Sequence, residues 1–311
     1  MILVTTYINP DLDGFSAALV YAKFLNRTGK PATAGFFGEY QPEVKFVAQK
    51  FGINLPAPLE NPEAFNQIIL VDVSDLSRLD KRLDPKKVIE IIDHRRNSDL
   101  SVFPNAKSYI EDIGASATLV IEKFKAENIV VSKELALLLC SAIASHTLNF
   151  SAADVTQRDR DVFEWLKEKC DFPLDFVREI FLAKSDLTEE KLGRAIESDL
   201  KTFEFSGRKI VIAQLEIVGG DVLIKERSKE ILGELAELKE KLNPDFIFLS
   251  VVDLEKLIDF FVCQEPETQD LLKAVLGVEF KNSIAKTEKL IRRKGLVLLL
   301  QEWLENNSPK G

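Results

Sequence analysis

The sequence predicts an α/β protein of two domains. The N-terminal domain is expected to hold a mainly parallel sheet flanked by helices, and the C-terminal α/β domain to be smaller. Short β-branched runs alternate with helical patterns in the first half of the chain. The length of 311 residues exceeds that of a typical single domain. The composition changes after Phe181, where a polar stretch precedes a second α/β pattern.

Three short apolar runs of the first half predict strands, at residues 2–6, 68–71 and 88–92. Nearly continuous apolar character is typical of parallel strands that are buried on both faces. Apolar residues recur at helical spacing over 15–25, and residues 116–124 and 133–147 also predict helices. The last of these is apolar almost all round, so we expect it to be buried.

Residues 183–190 form a polar stretch that opens a new helix, which is typical of a linker followed by a cap. The second half then predicts a strand at 209–214, a long charged helix at 221–242, a strand at 245–252 and a basic segment at 289–294. We therefore predict a first domain at 1–183, a linker at 184–190 and a second domain at 191–311.

The formal net charge of −9 argues against binding to a nucleic-acid duplex, because a phosphate backbone needs a basic surface. It does not exclude a small anionic substrate, since a local cation can reverse the field inside a cleft. The three cysteines are scattered, which favours reduced thiols over a disulfide framework. Neither a signal peptide nor an apolar run of membrane-spanning length is evident, so we expect a cytoplasmic protein without membrane partners.

Acidic residues follow each of the three predicted strands. Asp11 and Asp13 come after the first at spacing i, i+2, Asp72 follows the second, and Asp93 and His94 follow the third. In an extended segment, side chains at i and i+2 project to the same side. The carboxyl ends of parallel strands meet at one edge of a sheet. Carboxylates and imidazoles without thiols suit Mn²⁺ or Mg²⁺, so the sequence predicts a divalent metal site there.

Each of these residues also has a purely structural interpretation. A single Asp after a strand is usually a helix cap or a turn residue, and a lone histidine is more often structural than a ligand. Several strand ends with the same feature favour a site. The chain has only two histidines: His94 follows an Asp, and His146 ends the buried helix.

Four segments resemble, in order, the four motifs of the DHH phosphoesterases: NPDLDG at 9–14, LVD at 70–72, DHR at 93–95 and AIASHT at 142–147. The intervening GASAT at 114–118 is also similar to that family. In order and length the chain resembles the manganese-dependent (family II) inorganic pyrophosphatases. Residues 199–201 and 291–294 are similar to two basic signatures of their DHHA2-type second domain. The resemblance thus covers essentially the whole chain.

The resemblance implies hydrolysis of a phosphoanhydride, with inorganic pyrophosphate as the default small anionic substrate. It implies Mn²⁺ as the cofactor, with Mg²⁺ or Co²⁺ as substitutes. The implied metal ligands are Asp11, Asp13, Asp72, His94 and His146, with Asp72 and Asp13 also catalytic. The implied phosphate ligands are Arg95, Lys201, Arg292 and Arg293, of which the C-terminal ones would close over the metal site. Without the family signature, a basic run would indicate a solvated face.

Three positions depart from the family pattern. The family has a histidine where this chain has Tyr7, whose phenol, with a pKa of about 10, is a poor ligand for Mn²⁺ at neutral pH. A second histidine is Arg95 here, which cannot bind a metal but can bind a phosphate. The fourth-motif aspartate is His146, which can bind a metal but carries no negative charge. By this analogy one metal keeps four ligands and a second keeps only Asp11 and Asp72, so one or two ions are expected.

Two alternatives stay open. The chain could be an exopolyphosphatase or another DHH phosphohydrolase, or a catalytically degenerate relative that binds a phosphorylated ligand. Hydrolases of oligonucleotides and cyclic dinucleotides are less expected, because they usually carry a Gly-Gly-Gly-His element, whereas Asp221 follows Gly219 and Gly220 here. Relatives of this type often form dimers through an edge of the first domain, so a homodimer is one expected assembly.

Overall fold

The computed structural model describes residues 1–94, 99–173, 175–187 and 189–307. The chain divides into two compact units, Met1–Ala183 and Lys184–Gly311. Each unit contains its own sheet with helices packed on it. The prediction of two α/β domains is confirmed at the level of fold class.

The sheet of the first unit has five parallel strands in the order β2-β1-β3-β4-β5. The strands are β1 (Ile2–Thr5), β2 (Ala32–Ala34), β3 (Gln67–Val71), β4 (Val88–Asp93) and β5 (Lys107–Ile110). Strand β1, which lies between β2 and β3, is buried along its whole length, as its continuous apolar run predicts. The mainly parallel sheet predicted from the sequence is therefore confirmed.

The helices of this unit pack on the sheet or on one another, and two of them, the first and the third, contact its strands. They are α1 (Leu12–Arg27), α2 (Pro42–Phe51), α3 (Ser116–Ala126), α4 (Lys133–His146), α5 (Gln157–Lys167) and α6 (Phe176–Lys184). Helix α4 packs against α1, α2 and α5, and residues 138–144 are fully inaccessible to solvent. The prediction of a buried helix here is confirmed, and its last residue, His146, is thereby held at a fixed place.

The second unit has a six-stranded mixed sheet in the order β10-β11-β9-β8-β7-β6. The strands are β6 (Lys201–Phe205), β7 (Arg208–Ile217), β8 (Phe246–Asp253), β9 (Ile258–Val262), β10 (Phe280–Lys281) and β11 (Ile284–Thr287). Only β7 and β8 pair in parallel among these described strands, and the other pairs are antiparallel.

Four helices cover the two faces of the second sheet. They are α7 (Glu189–Ser198), α8 (Gly220–Leu242), α9 (Pro266–Leu276) and α10 (Arg293–Asn307). One apolar core joins α7 and α8 to the sheet, and the other joins α9 and α10 to the opposite face. No helix in the described part of the chain has both the length and the apolar character that crossing a membrane requires.

A buried carboxylate interrupts the apolar face under α9 and α10. Asp259 in β9 is inaccessible to solvent, and one of its oxygens, Oδ1, accepts a hydrogen bond from Ser250 Oγ at 3.2 Å. Its other oxygen, Oδ2, has no hydrogen-bond partner among the residues that the structure describes. Burial raises the pKa of Asp259 to about 8 against the opposing hydrogen bond from Ser250, and the charge of Glu216 adds to the increase.

Replacing Asp259 by Asn is expected to remove a pH dependence of stability. The unfolded carboxyl loses its proton near pH ~4, whereas the folded one keeps it until about pH 8, so folding takes up a proton between these values. The free energy of unfolding of the wild type therefore falls as pH rises through this window, by up to about 1.4 kcal/mol per pH unit. Thermal midpoints at pH 5 and pH 8 measure the effect.

Asp259→Asn should lose less stability than the wild type between these two pH values. Asp270→Asn is the matched control, because that carboxylate is 73% exposed and pairs with Lys273 on the surface of α9. Parallel pH profiles for the wild type and Asp259→Asn would contradict the proton uptake.

Candidate metal centre

Asp11 and Asp13 lie at the start of α1 and not together in one extended segment. Asp11 is the N-cap, where its Oδ1 accepts a hydrogen bond from the Gly14 N–H at 2.9 Å, and Asp13 lies in the first turn. Aspartate is favoured at N-caps because it satisfies a free backbone donor, and this preference starts the helix here. Both carboxylates still reach one site: His146 Nδ1 is 3.5 Å from Asp11 Oδ2 and 3.9 Å from Asp13 Oδ2.

Backbone donors of α3 hold the Asp13 carboxylate. Its Oδ2 accepts a hydrogen bond from the Ser116 N–H at 2.7 Å, and its Oδ1 accepts one from the Ala117 N–H at 2.9 Å. The N-terminus of a helix presents such unpaired donors and a partial positive charge. This arrangement allows a carboxylate to stay 1% exposed and still be oriented toward the site.

Asp72 has a left-handed backbone conformation, with φ +61°, directly after β3. Such a conformation costs a non-glycine residue ~1–3 kcal/mol, so its surroundings must hold it. Its N–H donates to Ile92 O at 2.8 Å, and its Oδ1 accepts from Ser116 Oγ at 2.9 Å. A Cβ at Gly14 would lie 3.3 Å from Asp72 Oδ2 and 2.6 Å from Thr6 Oγ1, so glycine allows α1 to approach this carboxylate.

His94 presents one defined nitrogen to the carboxylates. Its Nδ1 lies 3.0 Å from Ile113 O, and because a carbonyl can only accept, Nδ1 carries the proton. Its Nε2 lies 3.4 Å from Asp72 Oδ1. The ring of His146 meets that of His94 edge to face, with centroids 4.8 Å apart. A second-sphere carbonyl that fixes the tautomer in this way is typical of metal-binding histidines.

The donor atoms converge in two overlapping groups. In the described part of the chain, one group is Asp13, His94 and His146, and the other is Asp72, Asp93 and His94. Within each group, the ligand atoms lie within 4.8 Å of one another. A mixed set of carboxylate oxygens and imidazole nitrogens fits a divalent ion such as Mn²⁺. The residues present therefore fit the predicted metal.

The carboxylates interact strongly because they are buried together. Burial, and then repulsion from the Asp72 carboxylate, raise the pKa of Asp13 to about 8. Burial also acts to raise the pKa of Asp11, but hydrogen bonding and the positive charge from His146 outweigh it and hold that pKa well below its ordinary value. A divalent cation among these oxygens would replace the proton of Asp13, so metal binding and proton release are coupled.

Tyr7 lies beside Asp11 and is 5% exposed. A hydrogen bond from its phenol helps to lower the pKa of the Asp11 carboxyl. The side chain thus serves as a hydrogen-bond donor to the site, which agrees with the expectation that a phenol is a poor metal ligand. Arg95, predicted to bind phosphate, lies outside the described residues.

The predicted phosphate ligands of the second unit lie at the start of β6 and at the start of α10, and these two elements contact each other. Lys201 is the first residue of β6, and Arg293 is the first residue of α10. The guanidinium of Arg293 donates to the Asp199 carboxylate at 2.7 Å and also to the Asp199 carbonyl. Arg292 Nε donates to Glu216 Oε1 at 2.9 Å. Carboxylates of the same unit therefore hold both guanidinium groups in place.

Sequence reasoning missed several residues that organise the centre. Asp93 was placed among the acidic strand ends but not among the implied metal ligands, although it joins a donor group and accepts from Ser74 Oγ at 2.6 Å. Glu43 is buried and accepts hydrogen bonds from the Leu12 N–H at 3.1 Å and from Ser145 Oγ at 2.8 Å. These two bonds connect α2 to the ends of α1 and α4 that carry the ligands.

Asp159 in α5 organises the segment that holds both Asp13 and His94. Its Oδ2 accepts from the Gly114 N–H at 3.0 Å and from the Thr156 N–H at 2.8 Å, and its Oδ1 accepts from Thr118 Oγ1 at 2.7 Å. The only sequence signal for this residue is local: Thr156 and Asp159 form the capping box of α5. Its contacts with Gly114 and Thr118 had no signal in the sequence.

Asp159→Asn is expected to weaken metal binding although Asp159 is not one of the proposed metal ligands. The amide NH₂ would face N–H donors of Gly114 and Thr156, so the loop that positions the ligands would loosen. The loss expected for such an outer-sphere change is ~10- to 100-fold in metal affinity, measured by calorimetric titration with Mn²⁺. Asp161→Asn, an exposed change on the same helix, is the control. Equal affinities for both variants would show that Asp159 does not position the site.

Comparisons with known proteins agree with this geometry. Residues 1–143 match the N-terminal domain of the DHH family, and residues 178–303 match the DHHA2 domain. A manganese-dependent inorganic pyrophosphatase of Methanothrix thermoacetophila is 30% identical over 300 residues, covering 95% of this chain and 96% of the relative. Another, of Methanocaldococcus jannaschii, is 33% identical over 264 residues, covering 81% of this chain and 83% of the relative.

A solved structure shows the same architecture. The crystal structure of a Methanococcus jannaschii protein assigned to the family II inorganic pyrophosphatases superposes with a TM-score of 0.78 at 27% identity. The match covers 97% of this chain and 99% of that one. The shared motifs, both domain matches and the full-length similarity lead to one conclusion: this chain belongs to the DHH phosphohydrolases, in the family of the manganese-dependent inorganic pyrophosphatases with a DHHA2 domain.

Proposed function

We propose that this protein hydrolyses inorganic pyrophosphate to two phosphate ions, with Mn²⁺ bound at the carboxyl edge of the first sheet. The observation that carries the proposal is the convergence of Asp13, His94 and His146, and of Asp72, Asp93 and His94, with donor atoms within 4.8 Å in each group. The full-length similarity to proteins named as manganese-dependent inorganic pyrophosphatases supports the choice of metal and substrate.

Each proposed ligand has a role that follows from its surroundings. Asp13 is oriented by two backbone donors, and His94 offers Nε2 because Ile113 O holds its other nitrogen. Asp72 and Asp13 are the proposed catalytic carboxylates, and Asp11 and His146 complete the metal environment. The chemistry that a divalent cation supplies in such a site is neutralisation of phosphoryl charge and activation of water.

Phosphate binding is proposed for Lys201, Arg292 and Arg293, and for Arg95 by its place in the motif. Guanidinium groups bind phosphate oxygens through paired N–H donors, and their pKa above ~12 keeps them charged at every physiological pH. Glu216 and Asp199 fix the two guanidinium groups of the second unit, so little conformational entropy is lost when a phosphate binds. A homodimer and a cytoplasmic location stay predictions from the sequence.

Phosphate release from pyrophosphate tests the function. With excess Mn²⁺ or Mg²⁺, the purified protein should release phosphate, and Asp72→Ala should lower the rate by ~10²-fold or more because it removes a charge that organises the metal. Ser77→Ala is a control in the exposed turn after β3, where its hydroxyl donates a hydrogen bond to the Asp75 carboxylate. Release by the wild type that does not exceed release by Asp72→Ala would reject the proposal.

The same assay separates the alternatives. Faster release from polyphosphate chains than from pyrophosphate would identify an exopolyphosphatase, and cleavage of short RNA would identify a phosphodiesterase. Calorimetric titration with Mn²⁺ gives the number of ions. A protein that binds no Mn²⁺ and releases no phosphate would be the degenerate relative.

A further inference from the structure

An arginine lies on the ring of Tyr7 at the edge of the metal centre. The Arg78 guanidinium carbon is 3.8 Å from the centroid of the Tyr7 ring, which is well within the range of a cation–π contact. The phenol of the same tyrosine is hydrogen-bonded to the Asp11 carboxylate. One side chain therefore connects this guanidinium to the proposed metal ligands.

Arg78 carries a positive charge that no carboxylate neutralises among the residues described by the structure. In that part of the chain its guanidinium makes no hydrogen bond or ion pair, and it lies over the ring of Tyr7. Arg82, four residues later, is different: it binds Asp80 with both Nε and Nη2, at 2.8 and 2.9 Å. Half-buried arginines usually pair with an anion, so an unpaired one beside a metal centre indicates an anionic ligand.

The backbone fixes the position of Arg78. Residues Leu76–Arg78 form one turn of 3₁₀ helix, capped by Asp75, whose carboxylate accepts from the Ser77 N–H at 2.9 Å. The Ile8 N–H donates to Arg78 O at 3.1 Å, which joins this turn to the segment that follows β1. Arg78 is thus held at its backbone carbonyl by the Ile8 N–H and at its guanidinium by the Tyr7 ring.

We propose that Arg78, held on the ring of Tyr7, binds an anionic phosphoryl oxygen of the substrate at the rim of the metal centre. A stacked guanidinium uses its flat face for the ring and keeps its N–H donors in the plane for hydrogen bonds to an anion. The ligand class is a phosphoanhydride or a free phosphate. This inference rests on the proposed function, because it takes the substrate to occupy the metal centre.

Tyr7 then has two tasks that a metal-binding residue at this position could not combine. Its hydroxyl donates to Asp11, and its ring face orients Arg78. The guanidinium adds a fixed positive charge on the side of the centre where the phenol offers no metal ligand. Removing this charge should weaken anion binding and leave metal binding almost unchanged.

Binding of imidodiphosphate, a pyrophosphate analogue with a P–N–P bridge, tests the proposal. Calorimetric titration into Mn²⁺-loaded protein should give a dissociation constant ~10- to 100-fold higher for Arg78→Ala than for the wild type, the range of a lost charge-assisted hydrogen bond. Arg78→Lys should give an intermediate value, since an ammonium keeps the charge but not the fork. Arg82→Ala is the matched control and should bind as the wild type does.

The same titration tests whether the ring of Tyr7 positions Arg78. Tyr7→Leu removes the ring face and should weaken imidodiphosphate binding, and adding Arg78→Ala to it should cost less than Arg78→Ala costs alone. Mn²⁺ titrations and thermal midpoints for every variant establish that the metal and the fold are retained. Arg78→Lys preserves the test if Arg78→Ala does not fold.

Equal imidodiphosphate affinities for the wild type, Arg78→Ala and Arg78→Lys would overturn the proposal, even if pyrophosphate turnover proves the function. If turnover is absent but the Arg78 variants lose affinity, the function fails and the role of Arg78 stands. A wild type that binds no imidodiphosphate would overturn both. Repeating the imidodiphosphate titration in the presence of inorganic phosphate, for the wild type and for Arg78→Ala, shows whether the product binds to the same arginine.

Discussion

Repulsion between buried carboxylates is the interaction on which the first unit depends. Several acidic side chains follow neighbouring parallel strands, and the topology brings them to one sheet edge, away from water. Without compensation they would take up protons or push the edge apart. The raised pKa of Asp13 shows that this compensation is incomplete in the protein alone. A divalent cation completes it, so the same charges that strain the edge create affinity for metal.

Compensation comes from two kinds of positive group, each with its own origin. Helix α3 provides backbone N–H donors, and α4 provides an imidazole at its C-terminal end. Packing of α4 against α1, α2 and α5 determines where that imidazole lies. The packing of the hydrophobic core therefore determines where this imidazole lies relative to the carboxylates at the edge of the sheet.

Much of this could be predicted from the sequence, because parallel strands, a buried helix and acidic strand ends all leave local patterns. The geometry of Asp11 and Asp13 could not, since the same residues satisfy an extended pattern and a helix cap, and capping prevails where apolar residues recur from Leu12. Asp159 and Glu43 were missed for another reason. They act across 45 and 102 residues of chain, and single-sequence periodicity carries no information at such separations.

The two N–H donors that bind Asp13 belong to the main chain, and this has a consequence for how the protein can change. A side-chain ligand is lost by one codon change, whereas the N–H groups of Ser116 and Ala117 persist under any substitution except proline. Natural variation can therefore exchange side chains of the centre, as at Tyr7 and His146, while the anchor of the Asp13 carboxylate is inherited with the fold. Such a site can acquire a new metal stoichiometry or a new substrate without first losing its framework.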